Sequence, residues 1–310
     1  MKKKALSVEN LTKIYVDKNN QNSQTKALNN ISLSVEQGEI FGLLGPNGAG
    51  KTTFLSILAG TVIKTKGDVN VWGFDLEKNP RQVRASLGIV PQEVNLDAFF
   101  SPKKLLELQA GMYGVARKDR ITNTILKMVS LEKQADSYSR SLSGGMKRRL
   151  LIAKAMVHQP PILILDEPTA GVDVELRKNL WQNVKELNKL GVTIILTTHY
   201  LFEAQEMCDR IAIINNGNLV ALDTTQKLLD KIETKKITFR FDNMPEEIKS
   251  ELNGDQYIFS NNKTLTVNYD KNSDKLSDLL NFFKRKNLKI LDISTDDGNL
   301  EDVFVKLTKN

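Results

Sequence analysis

The segment Glu39-Ile-Phe-Gly-Leu-Leu-Gly-Pro-Asn-Gly-Ala-Gly-Lys-Thr52 joins a short apolar run to a glycine-rich turn that ends in Lys51 and Thr52. The apolar run predicts a buried β-strand, and the residues from Thr52 onward have helical spacing. The turn between them matches the pattern G-x-x-x-x-G-K-[ST], whose backbone N–H groups bind phosphates. The sequence therefore predicts a nucleoside triphosphate site on a strand–turn–helix unit, a motif that kinases and GTPases also contain.

The residues of this turn have distinct predicted roles. Lys51 supplies a positive charge between the β- and γ-phosphates, and the N-terminus of the following helix adds its dipole. The hydroxyl of Thr52 is a suitable ligand for Mg²⁺. We expect the nucleotide to contact Gly45, Pro46, Asn47, Gly48, Ala49, Gly50, Lys51, Thr52 and Thr53.

Two acidic residues end a second apolar run, Ile162-Leu-Ile-Leu-Asp166-Glu167, which predicts another buried strand. Adjacent side chains of a strand point in opposite directions, so the two carboxylates can have different roles. We expect Asp166 to hold Mg²⁺ through its water shell and Glu167 to polarise the attacking water as a general base. The metal and the phosphate-binding turn would stabilise the transferred phosphoryl group.

A second glycine-rich motif, Leu142-Ser-Gly-Gly-Met146, precedes a helix-forming run from Lys147 to Val157. The motif places the hydroxyl of Ser143 and the backbone N–H groups of Gly144 and Gly145 at a helix N-terminus, where anions bind. One domain has no evident use for two distant γ-phosphate sites. A head-to-tail dimer, in which each ATP lies between the two motifs of different subunits, explains both.

Together these three motifs resemble those of the ATP-binding cassette (ABC) ATPases, and the resemblance runs from about residue 5 to 230. It implies that Gln92 contacts Mg²⁺ and couples to a membrane partner. It also implies that His199 contacts the γ-phosphate and positions the water. The stretch Ala170 to Asp173 corresponds to a loop at the dimer interface, and Tyr15 stands where the family places an aromatic ring against adenine.

Further features resemble the ABC-2-type exporter branch of this family. Met146 stands where the family most often has Gln, and basic residues follow it. Two segments are also similar to sequences of that branch, Gly171-Val-Asp-Val-Glu-Leu-Arg177 and Leu300-Glu-Asp-Val-Phe304. The resemblance implies a separate integral membrane permease as partner. Export is favoured over import. A polar insert from Asp17 to Lys26 follows Tyr15 and is interpreted as a surface loop between two strands.

The order of elements predicts an α/β fold, because short apolar strands alternate with helix-forming stretches. The resemblance implies a P-loop NTPase cassette with a mixed sheet and a helical subdomain at about 93–158. Composition changes near Leu229, so we expect the ATP-binding domain at 1–232 and a small α+β domain at 233–310. The role of this second domain stays open between regulation, dimer support and simple stabilisation.

Composition and the first residues indicate the cellular compartment of the chain. Its 310 residues are 40% hydrophobic and 26% charged, as in ordinary globular proteins, and no run approaches the length of a membrane span. The start Met1-Lys-Lys-Lys lacks a following apolar segment, so we expect no secretory signal. The single cysteine, Cys208, fits a reducing compartment. We expect a cytoplasmic protein, peripheral on the cytoplasmic face of the cell membrane.

Alternative functions are disfavoured by specific features. The net charge of +7 comes from scattered Lys and Arg residues interleaved with 37 acids, so we expect no nucleic-acid partner. A non-transport ABC ATPase acting on ribosomes or DNA remains the alternative, although such proteins usually carry two cassettes or long coiled coils. A metabolic kinase would not explain Leu142–Met146. The pair Phe99–Phe100 either contacts the membrane partner or packs into the helical subdomain.

Overall fold

The computed structural model describes residues 3–16, 24–172, 174–232, 234–252, 254, 256–261, 263–270, 275–296 and 298–308. The chain divides into two compact units, Met1–Thr224 and Thr225–Asn310. The division falls eight residues before the expected boundary at 232/233. The reason is that the helix Thr225–Asp230 packs against the last helix of the chain, Leu300–Thr308, and both belong to the second unit.

A mixed sheet forms the centre of the first unit. In the described residues its strand order is β10-β9-β3-β8-β7-β6, and all neighbouring pairs are parallel except β9 with β10. Strands β3, β7 and β8 are almost wholly buried and consist mainly of Ile, Leu and Thr, which is the composition of interior parallel strands. The strands span Ile40–Leu44 (β3), Leu87–Val90 (β6), Ile162–Asp166 (β7), Thr193–Thr197 (β8), Arg210–Asn215 (β9) and Asn218–Thr224 (β10).

A second, antiparallel sheet covers one side of this unit. Among the described strands its order is β2-β1-β4-β5, with bounds Lys4–Val16 (β1), Gln24–Glu36 (β2), Lys66–Val71 (β4) and Phe74–Asp75 (β5). Its inward side chains share one core with the buried face of the mixed sheet. The predicted loop Asp17–Lys26 is wrong at its end because Gln24–Lys26 pair with β1; residues 17–23 lie outside the described residues.

The helices of the first unit alternate with its strands along the chain, and three of them form a group. Helices α3, α4 and α5 contact one another within the predicted subdomain range 93–158. Ser101 and Ser143 cap two of them, since each side-chain hydroxyl accepts a hydrogen bond from a first-turn N–H group. The helices are Lys51–Leu58 (α1), Pro80–Ala85 (α2), Pro102–Met112 (α3), Thr122–Met128 (α4), Gly144–Met156 (α5), Val174–Lys189 (α6) and Leu201–Met207 (α7).

The second unit is an antiparallel sheet with its own apolar core. Its described strands have the order β12-β13-β11-β14, and the aromatic rings of Phe239, Phe241 and Phe283 meet at its centre. The predicted α+β character therefore agrees with the structure. Its elements are Thr225–Asp230 (α8), Thr234–Phe241 (β11), Glu246–Glu251 (α9), Tyr257–Asn261 (β12), Thr264–Asp270 (β13), Lys275–Arg285 (α10), Ile290–Asp296 (β14) and Leu300–Thr308 (α11).

None of the helices in the described part of the chain combines the length and the apolar character that a membrane span requires.

Phe283 provides a test of the separate core in the second unit. Its ring is fully buried and lies edge-on to both Phe239 and Phe241, at 5.0 Å between centroids. Phe283→Ala should destabilise this unit by about 3–5 kcal/mol because it leaves a cavity. Hydrogen exchange followed by mass spectrometry should show faster exchange in 237–241 but not in 162–166.

The partly buried neighbour Phe282 gives the matched control, and Phe282→Ala should cost less. Equal loss of protection in 162–166 and 237–241 after Phe283→Ala would contradict two separate cores.

Candidate functional site

The predicted phosphate-binding turn lies between β3 and α1 and lines a cavity of about 630 Å³. Two of its glycines are required by close packing. A Cβ atom on Gly50, whose φ is +112°, would lie 2.5 Å from the carbonyl oxygen of Ala27. A Cβ on Gly45 would overlap the carbonyl oxygen of Ile214. The cavity is lined by Ala27, Asn47, Gly48, Ala49, Gly50, Lys51, Thr52, Thr53, Gln92, Asp166, Glu167 and His199.

Lys51 is largely buried at the bottom of this turn, with 8% of its surface exposed. Its Nζ donates hydrogen bonds to the carbonyl oxygens of Gly45, at 2.7 Å, and Pro46, at 3.1 Å. Burial lowers the pKa of the ammonium group, while the carboxylates of Glu167 and Asp166 oppose that effect. The lysine therefore fixes the shape of the turn and supplies positive charge inside the cavity.

The predicted acidic pair lies at the carboxyl end of β7. The Oδ1 of Asp166 accepts a hydrogen bond of 2.6 Å from the hydroxyl of Thr197, the residue that ends β8. The backbone N–H of Glu167 is directed at the carbonyl and hydroxyl oxygens of the same threonine, each at 3.1 Å. Thr197 thus orients both acidic residues, a contact that the sequence analysis missed.

Glu167 has a left-handed backbone conformation, with φ of +45°. For a non-glycine residue this conformation costs roughly 1–2 kcal/mol, and it persists only where neighbouring contacts hold it. Here the two contacts to Thr197 hold it. The turn brings the Glu167 side chain into the same cavity as that of Asp166.

Gln92 and His199 come from distant parts of the chain and meet at the carboxylate of Glu167. The Nε2 of Gln92 donates to Oε2 of Glu167 at 3.0 Å, and the Nδ1 of His199 lies 3.1 Å from the same oxygen. The structure thus places Gln92, Glu167 and His199 in one cluster beside the lysine of the turn. A carboxylate held by two partners on one oxygen is well oriented to accept a proton from a water molecule.

The site can also accommodate Mg²⁺. Thr52, Gln92 and Asp166 all line the cavity and offer a hydroxyl, an amide and a carboxylate oxygen. Mg²⁺ prefers such oxygen ligands and is typically bound by one or two carboxylates together with substrate phosphates. Within the described residues there is no group of three or more His, Cys, Asp or Glu side chains that would bind a metal alone. The donor set therefore fits a metal that arrives with a nucleotide.

The remaining predicted residues lie elsewhere. Tyr15, on β1, is 42% exposed and is not among the residues that line the cavity, and the ammonium of Lys13 lies 4.7 Å from its ring centroid. Ser143 and Gly144 are exposed at the N-terminus of α5, whereas Gly145 is buried, and the hydroxyl of Ser143 accepts from the N–H of Met146. They do not line the cavity either.

The loop after Glu167 contacts a residue that the sequence analysis did not single out. Arg148 on α5 is 7% exposed, and its guanidinium donates to the carbonyl oxygens of Pro91, at 3.1 Å, and Ala170, at 3.5 Å. Because Pro91 precedes Gln92, the Arg148 side chain connects α5 to the loop of Gln92 and to the loop after Glu167. The sequence neighbours of Arg148 are also basic, so the sequence pattern does not distinguish it from them. Asp173, predicted at the dimer interface, lies outside the described residues.

Phe99 and Phe100 do not pack into the core of the helical group. Their exposed fractions are 71% and 38%. Of the two interpretations offered by the sequence, the structure therefore disfavours the one in which both rings are buried. The guanidinium of Arg140 lies 5.9 Å from the ring centroid of Phe99.

Comparison with known proteins identifies the family of this chain. A family model described as ABC transporter matches residues 28–170. The chain is 35% identical over 307 residues to the Nod factor export ATP-binding protein I of Neorhizobium galegae, an alignment that covers 98% of this chain and 85% of that protein. It is 38% identical over 229 residues to the linearmycin resistance ATP-binding protein LnrL of Bacillus subtilis, covering 73% of this chain and 71% of that protein.

Solved structures share the fold. The chain superposes on cbiO1 from Clostridium perfringens, part of the ABC transporter complex cbiONQ, with a TM-score of 0.65 and 27% identity over 74% of this chain and 91% of that one. A dimeric ATP-binding cassette in a post-hydrolysis state, bound to ADP and Pi, gives a TM-score of 0.62 and 26% identity over 71% and 98% of the two chains.

These similarities confirm the predicted fold, family and ATPase activity, and they support the transporter reading rather than the ribosome or nucleic-acid alternative. The chain belongs to the ABC transporter family, in which it is an ATP-binding subunit with ATPase activity.

Proposed function

We propose that this chain hydrolyses ATP at the cavity around Lys51 and that closure of an ATP-bound dimer drives export through separate integral membrane permease subunits. The observation that carries the proposal is the cluster at Glu167, where Gln92 and His199 hold one oxygen of the carboxylate beside the phosphate-binding turn. Export is favoured because the similar proteins from N. galegae and B. subtilis are an export protein and a resistance protein.

The proposed mechanism assigns a step to each group in the cavity. The N–H groups of the turn and the ammonium of Lys51 bind the β- and γ-phosphates and balance their charge. Glu167 accepts the proton of the attacking water, and His199 orients that water and the γ-phosphate. Thr52, Gln92 and Asp166 would hold Mg²⁺, which when bound neutralises charge that develops on the phosphoryl oxygens. The water oxygen bonds to the γ-phosphorus as the bond from that phosphorus to the bridging oxygen of ADP breaks, and ADP and phosphate then leave.

The N-terminus of α5 completes the site from another subunit in this proposal. Ser143 and the adjacent glycines offer a hydroxyl and N–H groups at a helix start, where an anion is favoured. They do not line the cavity of their own chain. A second copy or a related cassette, arranged head to tail, would bring them to the γ-phosphate. Tyr15 is proposed to stack on adenine with the ring face that Lys13 leaves free.

The exposed pair Phe99 and Phe100 is proposed as part of the surface that contacts the permease. Two neighbouring aromatic rings with 71% and 38% exposure form an apolar patch suited to a protein partner. The chain would then act at the cytoplasmic face of the cell membrane. The scattered basic residues give no reason to expect nucleic acid.

Affinity purification of the full chain from its native membranes in mild detergent tests the transport proposal. Recovery of a stoichiometric polytopic membrane protein is expected, and its identification by mass spectrometry would reveal the permease. A Phe99→Ser variant should reduce that recovery, whereas Phe202→Ser, which changes an equally exposed ring on α7, should not. Recovery with ribosomes or DNA and without a membrane protein would refute transport while leaving the ATPase intact.

Glu167→Gln tests the general base. The amide keeps the shape of the carboxylate but accepts no proton, so turnover should fall by about 10²–10⁴-fold. ATP binding should persist, and size exclusion with light scattering should show a dimer in ATP and Mg²⁺. Glu186→Gln, at an exposed site on α6, is the control with normal turnover. A Glu167→Gln protein that stays monomeric in ATP would contradict the sandwich arrangement.

Lys51→Ala tests the phosphate-binding turn. Loss of the ammonium should reduce ATP turnover at least about 100-fold, because a buried charge aimed at the phosphates is removed. The same loss should weaken ATP binding, measured by isothermal titration calorimetry. Lys189→Ala, which removes an exposed ammonium from α6, should leave both unchanged. Near-normal turnover of Lys51→Ala would refute the assignment of the turn.

A further inference from the structure

A buried carboxylate on α7 lies outside the nucleotide cavity and connects the two segments that carry the proposed catalytic groups. Glu203 is 5% exposed and is not among the residues that line the cavity. Its Oε2 accepts hydrogen bonds from the hydroxyls of Thr169, at 2.7 Å, and Thr198, at 3.2 Å. Both threonines are buried, with 0% and 2% exposure. Hydrogen bonds to an ionised acceptor are roughly twice as strong as neutral ones.

The two threonines flank the catalytic cluster in the chain. Thr169 follows Glu167 by two residues, and Thr198 precedes His199. The hydroxyl of Thr198 also accepts the backbone N–H of Tyr200 at 3.0 Å, which holds the turn after β8. One carboxylate oxygen thus fixes the loop after β7 against the turn that carries the histidine.

Arg177 on α6 reinforces the same connection. Its Nε lies 3.2 Å from Oε1 of Glu203, so the buried carboxylate has a positive partner. Its guanidinium is 4.4 Å from the ring centroid of Tyr200 and donates to the carbonyl oxygen of Val172 at 3.4 Å. Within the described residues neither Nε of Arg177 nor Oε1 of Glu203 has a hydrogen-bond partner, so Arg177 compensates the buried charge while the two threonines supply the hydrogen bonds that orient Glu203.

We propose that Glu203 is a positioning residue for ATP hydrolysis, which holds the segment after Glu167 and the segment of His199 at their working separation. The distance that it controls is the 3.1 Å between Nδ1 of His199 and Oε2 of Glu167. The inference rests on the roles proposed for Glu167 and His199. Glu203 does not line the nucleotide cavity, so it acts through the geometry of the two segments that it contacts. Displacement of reacting groups by about 1 Å can lower a rate about 100-fold.

Three threonine variants separate positioning from stability. Thr169→Val removes one hydroxyl from Glu203, and Thr169→Ser keeps it. Thr193→Val is the matched control, because Thr193 is equally buried at the opposite end of β8 and its hydroxyl accepts the N–H of Gly38 at 3.0 Å. The two valine variants should lower the melting temperature by a similar amount, roughly 2–4 °C.

The kinetics of the full chain decide between the two roles. For Thr169→Val we expect a kcat for ATP about 10- to 100-fold below wild type, with KM changed less than about twofold, since the phosphate-binding turn is untouched. Thr169→Ser and Thr193→Val should retain near wild-type kcat. Normal kcat in Thr169→Val, or equal losses in both valine variants, would overturn the proposal.

A double-mutant cycle with Glu203→Gln gives a second test that does not depend on one variant folding. Glu203→Gln should lower kcat with little change in KM, and adding Thr169→Val should cost little more, because both changes break one connection. Multiplicative losses would overturn the inference. The outcomes distinguish the general-base role of Glu167 from the positioning role of Glu203. Normal turnover of Glu167→Gln would refute both roles. Full loss in Glu167→Gln beside normal Thr169→Val and Glu203→Gln refutes only the inference.

Discussion

The parallel hydrogen bonding of β3, β8 and β7 is the interaction on which the rest of the site depends. Parallel strands place their carboxyl ends at one edge of a sheet, and ligands bind outside that edge. Thr197 pairs with Leu43 on one side and Asp166 on the other. The phosphate-binding turn, the acidic pair and the histidine turn therefore emerge side by side, although more than a hundred residues separate the first from the second.

Two features of this arrangement, a buried charge and a left-handed backbone conformation, need stabilising contacts. A buried ammonium and a glutamate in a left-handed conformation are each unfavourable in isolation. Carbonyl oxygens of the turn itself and the two nearby carboxylates stabilise Lys51, and Thr197 at the end of β8 holds Glu167. Rigid secondary structure supplies these partners, so the reactive groups need little reorganisation when a nucleotide binds.

Much of the site could be predicted because its motifs are local. A strand, a glycine turn and a lysine are contiguous, and so is an apolar strand with its two acids. Gln92 and His199 were found only through family resemblance, since their meeting at Glu167 depends on strand order. Thr197, Arg148 and Glu203 were missed because a buried polar residue has partners far away in sequence. The register shifts of β1 likewise interrupt its alternation and conceal the bounds of the antiparallel sheet.

Arg148 and Glu203 have similar structural roles. Each is a buried charged side chain on a helix outside the cavity, and each binds a loop that carries a cavity residue. Ser143 caps the same helix that carries Arg148, so a displacement of α5 changes the contact to Pro91, next to Gln92. Both charged residues also contact the loop after Glu167, at Ala170 and Thr169. The loop after Glu167 is therefore held from two sides, by Arg148 on α5 and by Glu203 on α7.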